Sequence, residues 1–158
     1  AEGDNRAFER LYEETRRGVY AFAYSYLGNP ADAEDATEEV YFTVKRKAYL
    51  YRPGTDARAW LFQIAKNLSL DELRRRKQRP ESLEGLSSDP SEQPKLHALD
   101  LMTAALNESE KEIVLLHAVW GYKHREIAKM TGLPLGNVTW KYKSAADKLR
   151  RAWKEEES

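Results

Sequence analysis

Asn137, Thr139, Trp140, Lys141 and Lys143 fall within seven residues of one segment, HREIAKMTGLPLGNVTWKYK, which runs from His124 to Lys143. Amide and hydroxyl groups suit the hydrogen-bonding edges of bases, and ammonium groups suit phosphates. A second set, Gln63, Asn67 and Arg74, recurs at steps of four and seven and carries side-chain types that bond base edges. Lys66 stands beside Asn67, and Arg74, Arg75, Arg76, Lys77 and Arg79 add charge that would neutralise phosphates. Asp71 and Glu72, each four residues before an arginine, have the duller reading of helix ion pairs with Arg75 and Arg76. Tyr49, Tyr51 and Arg52 form a third set, in which aromatic faces would stack on unpaired bases. Loop tyrosines serve equally well as packing, and both readings stand at this point.

The first set depends on a break in its helix. Thr131, Gly132, Leu133 and Pro134 interrupt a helical pattern that then resumes. Two helices that cross steeply through a turn of three or four residues need a small residue at the crossing and one tolerant of positive φ in the turn. Ala128 and Gly132 occupy those places, while Ile127, Met130, Leu133 and Val138 would close the small core beneath. This is helix-turn-helix spacing. It sends the N-terminal part of the second helix into a major groove, with Arg125 of the first helix beside it. A plain helical hairpin with a basic solvent face is the competing reading.

The 158 residues have a formal net charge of zero, which argues against nucleic-acid binding only if the charges are mixed. They are segregated. Residues 1–40 hold 4 Lys and Arg against 10 Asp and Glu, and residues 41–79 hold 11 against 3. Residues 80–110 hold 1 against 7, and residues 111–158 hold 10 against 6. Two acidic surfaces therefore alternate with two basic ones, although solvated helix faces would give the same count. The absence of cysteine removes disulfides and thiolate metal ligands. His97, His117 and His124 are the only histidines, and the seven-residue step between the last two spans a glycine-bearing break, so neither a metal pair nor a catalytic triad is suggested. No cofactor, metal or small-molecule substrate is expected. The start, AEGDNRAF, carries no signal-peptide pattern and no apolar run is long enough to span a bilayer, so a cytoplasmic location is expected.

The elements that would carry these residues all read as helices. Phe8, Leu11, Tyr12, Val19, Phe22 and Tyr26 mark one face of a first helix ending at Leu27 and Gly28. Pro30 with Asp32, Glu34 and Asp35 opens a second, running to about Ala48 over a stripe of Ala33, Ala36, Val40 and Val44. Thr55 is placed to cap a third, whose inward face carries Ala57, Trp60, Leu61, Ile64 and Leu68. PESLEGLSSDPSEQPK, residues 80–95, has three prolines, four serines and no helical period, and reads as an acidic linker. Beyond it come a helix over Leu96–Leu106 and another over Ser109–Trp120, opened by a capping box of Asn107 and Glu110. The expected fold is all-α: two small helical domains, residues 1–79 and 96–158, joined by a flexible linker.

Three segments in this order carry a resemblance that spans nearly the whole chain. AFERLYEETRRGVYAFAYSYLGNPADAEDATEEVYF, ARAWLFQIAKNLSLDELRRRK and EKEIVLLHAVWGYKHREIAKMTGLPLGNVTWKYKSAADKLR resemble regions two and four of bacterial RNA polymerase sigma factors of the extracytoplasmic function group. The matching positions are Ala33, Glu34, Asp35, Val40 and Tyr41, then Trp60, Leu61, Ile64, Ala65, Asn67, Asp71 and Arg74, then Glu126, Ile127, Ala128, Gly132 and Val138. The resemblance implies that Glu34, Asp35, Glu38 and Glu39 dock on the clamp helices of core polymerase, and that the third helix and its preceding loop recognise and open the minus ten element. It implies that the second domain binds the minus thirty-five element as duplex and packs on the polymerase flap, while Glu81, Glu84 and Asp89 of the linker thread toward the catalytic channel. An anti-sigma protein, through which the factor is held inactive or at the membrane, is a further implied partner. Glu38, Lys45, Asn137 and Ser144 depart from the family's usual glutamine, aromatic, threonine and arginine. A stand-alone helix-turn-helix regulator, with residues 1–73 as a sensing or dimerising domain, is the alternative, although such a domain has no need of the basic run after Leu73.

Overall fold

A computed structural model describes residues 2–51, 56–78 and 94–157. The chain divides into two compact units, Ala1–Ser87 and Ser88–Ser158. Among the described residues every regular element is helical.

The first unit contains α1 (Glu2–Leu27), α2 (Pro30–Arg46), a 3₁₀ turn (Ala48–Leu50) and α3 (Ala57–Lys77). Each of the three helices packs on the other two. Every residue from Ala21 to Leu27 is buried, so the end of α1 is enclosed rather than half-solvated. Around it lie Ala33, Val40 and Val44 of α2 and Leu61, Phe62 and Ala65 of α3, with the Phe22 and Phe62 rings edge to face at 4.7 Å. Gly28, at φ 69°, ends α1, and the Asn29 side chain then accepts from the amides of Ala31 and Asp32 to start α2.

Two sequence expectations change here. Asp56, not Thr55, caps α3 by accepting from the amides of Arg58 and Ala59; Thr55 itself lies outside the described residues. The fully buried seam of α3 is Leu61, Phe62, Ala65 and Ser69, whereas Ala57, Trp60, Ile64 and Leu68 are half-buried. A helix lying against two partners buries a broader, rotated face, and small or polar residues such as Ala65 and Ser69 mark it as well as large apolar ones.

The second unit contains α4 (Pro94–Ala105), α5 (Glu108–Val114), a π turn (Leu115–Val119), α6 (His124–Thr131) and α7 (Leu135–Glu157). α7 packs on α4, α5 and α6. The capping box is present: Glu110 N–H donates to Asn107 Oδ1 at 2.9 Å, and Asn107 N–H donates to Glu110 Oε1 at 3.0 Å. The single helix expected over Ser109–Trp120 is instead α5 followed by the π turn, where Trp120 N–H reaches the Leu115 carbonyl. Leu115, Leu116, Ile113, Ile127 and Val138 are fully buried and form the core beneath α6 and α7.

Candidate nucleic-acid interface

The break between α6 and α7 takes the form that its residues require. Gly132 has φ 76° and its N–H bonds the Ala128 carbonyl at 2.9 Å, closing α6 in the left-handed region that an L side chain enters only at a cost. At the other end, Glu126 accepts from the Lys123 amide at 2.9 Å. Val138 is wholly buried, so the opposite face of the first turns of α7 must look to solvent. Asn137, Thr139, Trp140 and Lys143 are exposed there, and Arg125 is exposed on α6. Lys141 differs from expectation. It is half-buried, and its Nζ donates to Ser109 Oγ at 2.9 Å, turning the ammonium toward α5 rather than outward. Two turns further on, Lys148 Nζ bonds both carboxylate oxygens of Glu110 at 3.0 and 2.8 Å, so two lysines of α7 secure the start of α5.

The three rings of His117, His124 and Tyr142 gather where the π turn, α6 and α7 meet, with centroids 4.6 to 5.2 Å apart. His117 Nδ1 lies 2.8 Å from the Tyr122 carbonyl, which must accept. His124 Nδ1 is 3.2 Å from Thr139 Oγ1, and its Nε2 is buried with no hydrogen-bond partner. Burial, and then the neighbouring His117, push the His124 pKa below its ordinary value. The sequence spacing concealed this cluster, because the π turn and the Gly121 backbone at φ 81° fold the seven-residue step back on itself. Among the described residues no group of three or more acidic, histidine or cysteine side chains could hold a metal.

In the first unit, Gln63 and Asn67 lie one turn apart on the exposed side of α3, joined by a 3.2 Å bond from Gln63 Nε2 to Asn67 Oδ1. Lys66 beside them is half-buried. Arg74 and Arg75 are exposed at the end of the same helix, and their ion pairs are with Asp71 at 3.3 Å and Glu72 at 3.6 Å, three residues back rather than the four expected. Arg76 is not part of this surface. Its guanidinium donates to the Leu27 carbonyl and to the Asp32 carboxylate, tying α3 to the corner between α1 and α2. Tyr49 is 81% exposed, but Tyr51 lies 5.6 Å from the Trp60 ring and packs on it. Arg52 and the linker acids Glu81, Glu84 and Asp89 lie outside the described residues.

α2 presents the opposite sign of charge. Glu34, Asp35, Glu38 and Glu39 are all exposed, and among the described residues only Glu39 has a cation at hand, Arg46 at 3.2 Å. Phe42, four residues after Glu38, is exposed on the same helix. An aromatic that falls outside the buried stripe was the sequence signal for it. The inner side of α2 is anchored by Tyr41, whose hydroxyl meets Thr15 at 2.7 Å; burial, against that bond, pushes its pKa up to about 12.

Two family profiles match the chain, "Sigma-70 region 2" over residues 11–79 and "Sigma-70, region 4" over residues 96–149. The chain is 32% identical over 157 aligned residues to "ECF RNA polymerase sigma factor RpoE" of Cereibacter sphaeroides, covering 94% of this chain and 87% of that protein. It belongs to the extracytoplasmic function group of RNA polymerase sigma factors. "ECF RNA polymerase sigma factor SigE" of Mycolicibacterium smegmatis is 33% identical over 165 aligned residues, covering 95% of this sigma factor and 64% of that one. In fold, the sigma factor resembles RpoE of Bartonella quintana, solved with the anti-sigma factor NepR, at a TM-score of 0.74 and 21% identity over 94% of this chain and 98% of that one. As a sigma factor it acts in transcription initiation, directing RNA polymerase to promoters. No helix among the described residues is long and apolar enough to cross a membrane.

Proposed function

We propose that this sigma factor divides its work between residues 1–79, which bind core polymerase and open the minus ten element, and residues 96–158, which hold the minus thirty-five element as duplex, with residues 80–95 as the tether. The observation that carries this reading is the sorting of exposed groups by charge and type. Amides and arginines on α3 (Gln63, Asn67, Arg74, Arg75) and amide, hydroxyl, indole and ammonium groups on α7 (Asn137, Thr139, Trp140, Lys143) face solvent, while α2 exposes a run of four carboxylates, Glu34, Asp35, Glu38 and Glu39. Tyr49, standing free before α3, is suited to stack on an unpaired base. The α2 acids with Phe42 suit a basic protein surface such as the polymerase clamp helices, and the second unit also docks on the flap. Lys141, held by Ser109, positions α7 and reaches phosphate only if that bond is exchanged.

The factor acts in the cytoplasm by binding, without a reaction of its own, and an anti-sigma protein that covers these faces is the expected inhibitor. The crystallised Bartonella relative, which has such a partner, supports that last point. Reconstituted transcription with core polymerase on a promoter library tests the reading: Lys143→Glu should lower upstream duplex binding and Asn67→Ala should impair opening at unchanged upstream affinity. Equal effects of both changes in both assays would reject the division. Recovery of the chain from cells with core polymerase but never with an inhibitory protein would remove the anti-sigma partner.

A further inference from the structure

Among the described residues of the second unit Trp140 is the most exposed of the large apolar side chains, at 68%, and it stands five residues after the start of α7, within the turns that the preceding proposal sends into the major groove. Its neighbours along the helix face leave the indole prominent. Gly136, four residues before it, has nothing within 4 Å of where a Cβ would stand, and Ser144, four residues after it, is small. Asn137 and Lys143, three residues to either side, bring an amide and a cation. An apolar ring raised in this way above a polar surface suits a ligand that is polar around one apolar spot.

Indole offers a broad apolar face and one donor, Nε1–H, with no acceptor. Of the four bases, only thymine shows an apolar group in the major groove, its C5 methyl, with the O4 acceptor close beside it. Cytosine presents an N4 donor and no methyl, so an indole N–H there meets another donor. Adenine places an N6 donor next to its N7 acceptor, and guanine offers acceptors that a lysine or arginine reads better than a lone N–H. Resting on the reading that α7 enters the major groove, we propose that Trp140 makes this sigma factor select thymine at one position of the minus thirty-five element, through contact of the indole face with the C5 methyl.

The test removes that methyl alone. Duplexes bound by holoenzyme, reconstituted from the full chain and core polymerase, are first selected from a randomised upstream element to locate the thymine. That thymine is then replaced by deoxyuridine, and binding is compared for the wild type and Trp140→Ala. The wild type should bind the deoxyuridine duplex about four-fold more weakly, which is the worth of one buried methyl-sized group. Trp140→Ala should bind the two duplexes equally and should lose the thymine preference at that position in the selection. Lys143→Glu separates this inference from the one beneath it. If Lys143→Glu weakens upstream binding but the wild type does not distinguish thymine from deoxyuridine at any selected position, the thymine reading is overturned and the groove reading stands. If Lys143→Glu has no effect either, α7 does not enter the groove. If Trp140→Ala leaves duplex selection intact but lowers assembly with core polymerase, the indole is a protein contact and the proposal is overturned.

Discussion

Arg76 gives the sharpest separation between what the sequence suggests and what the fold does with it. In sequence it is one of a run of cations expected to neutralise phosphates. In the structure its side chain is only 28% exposed and donates to the Leu27 carbonyl and the Asp32 carboxylate, which lies 44 residues away in the chain. Leu27 is the last residue of α1, so its carbonyl has no partner within that helix and Arg76 supplies one. Each bond involving the guanidinium would contribute about 1.5 to 3 kcal/mol if fully sheltered. Because Asp32 is 39% exposed, water reclaims part of that on removal, and Arg76→Met should cost roughly 2 to 3 kcal/mol in all. For a unit of this size such a loss lowers the melting temperature by roughly 10 to 15 °C. Calorimetry of the full chain, with segment-resolved hydrogen exchange on α1 and α3, measures it. Arg74→Met is the contrast: at 73% exposed, with an exposed Asp71 as its ion-pair partner, it should cost less than about 0.5 kcal/mol. In holoenzyme binding to single-stranded promoter DNA, Arg74→Met should reduce the slope of log affinity against log salt by about 0.7, and Arg76→Met should leave it unchanged. An unaltered melting profile together with a reduced salt slope for Arg76→Met would refute the structural assignment.

Other consequences can be measured in the second unit. Lys148→Met strands the Glu110 carboxylate, which is 5% exposed, and should cost about 2 kcal/mol in a urea titration, whereas Glu110→Gln keeps the capping box and should cost less. Burial raises the Glu110 pKa, but the bonds from Lys148 and the Asn107 amide outweigh it and hold the carboxyl below its ordinary value, so the stability it contributes is lost only as pH falls through that lowered value. Gly132→Ala meets no neighbouring atom and should cost about 1 to 2 kcal/mol through its positive φ alone, read as a lower urea midpoint with unchanged slope. His124 should make the second unit less stable in acid. Its folded pKa lies below the unfolded one, so the unfolded chain takes up the proton first and stability falls as pH drops through about 6.5. Hydrogen exchange on α6 and α7 at pH 7.5 and 5.5 should show that loss for the wild type and a smaller one for His124→Gln.

Local rules made most of the fold legible. The Asn29 and Pro30 start, the capping box of Asn107 and Glu110, and the turn at Gly132 are each decided within a few residues, and the structure has all three. Stripe arguments located α1, α2 and the core contribution of Ile127 and Val138. They failed on α3, whose buried seam includes the small Ala65 and the polar Ser69 that an apolar count passes over, and on α5, where the chain widens into a π turn that apolar periodicity does not signal. Among the candidate residues, types and exposure agreed for Gln63, Asn67, Asn137, Trp140 and Lys143. The partners of Arg76 and Lys141 were not foreseen for one physical reason. A cation on a helix is assigned to solvent until a partner is known, and theirs, Asp32 and Ser109, are 44 and 32 residues away and become neighbours only through packing. Tyr51 was open between stacking and packing in sequence, and in the structure its ring stands 5.6 Å from that of Trp60.

The division of labour between α3 and α7 is tested most directly by offering holoenzyme a promoter whose minus ten region is already unpaired. Transcription from duplex and pre-opened templates would be compared for the wild type, a Gln63→Ala and Asn67→Ala double variant, and Lys143→Glu. The α3 variant should be defective on duplex and restored on the pre-opened template, while Lys143→Glu should stay defective on both. Restoration of both variants, or of neither, would contradict the assignment of opening to α3 and duplex holding to α7.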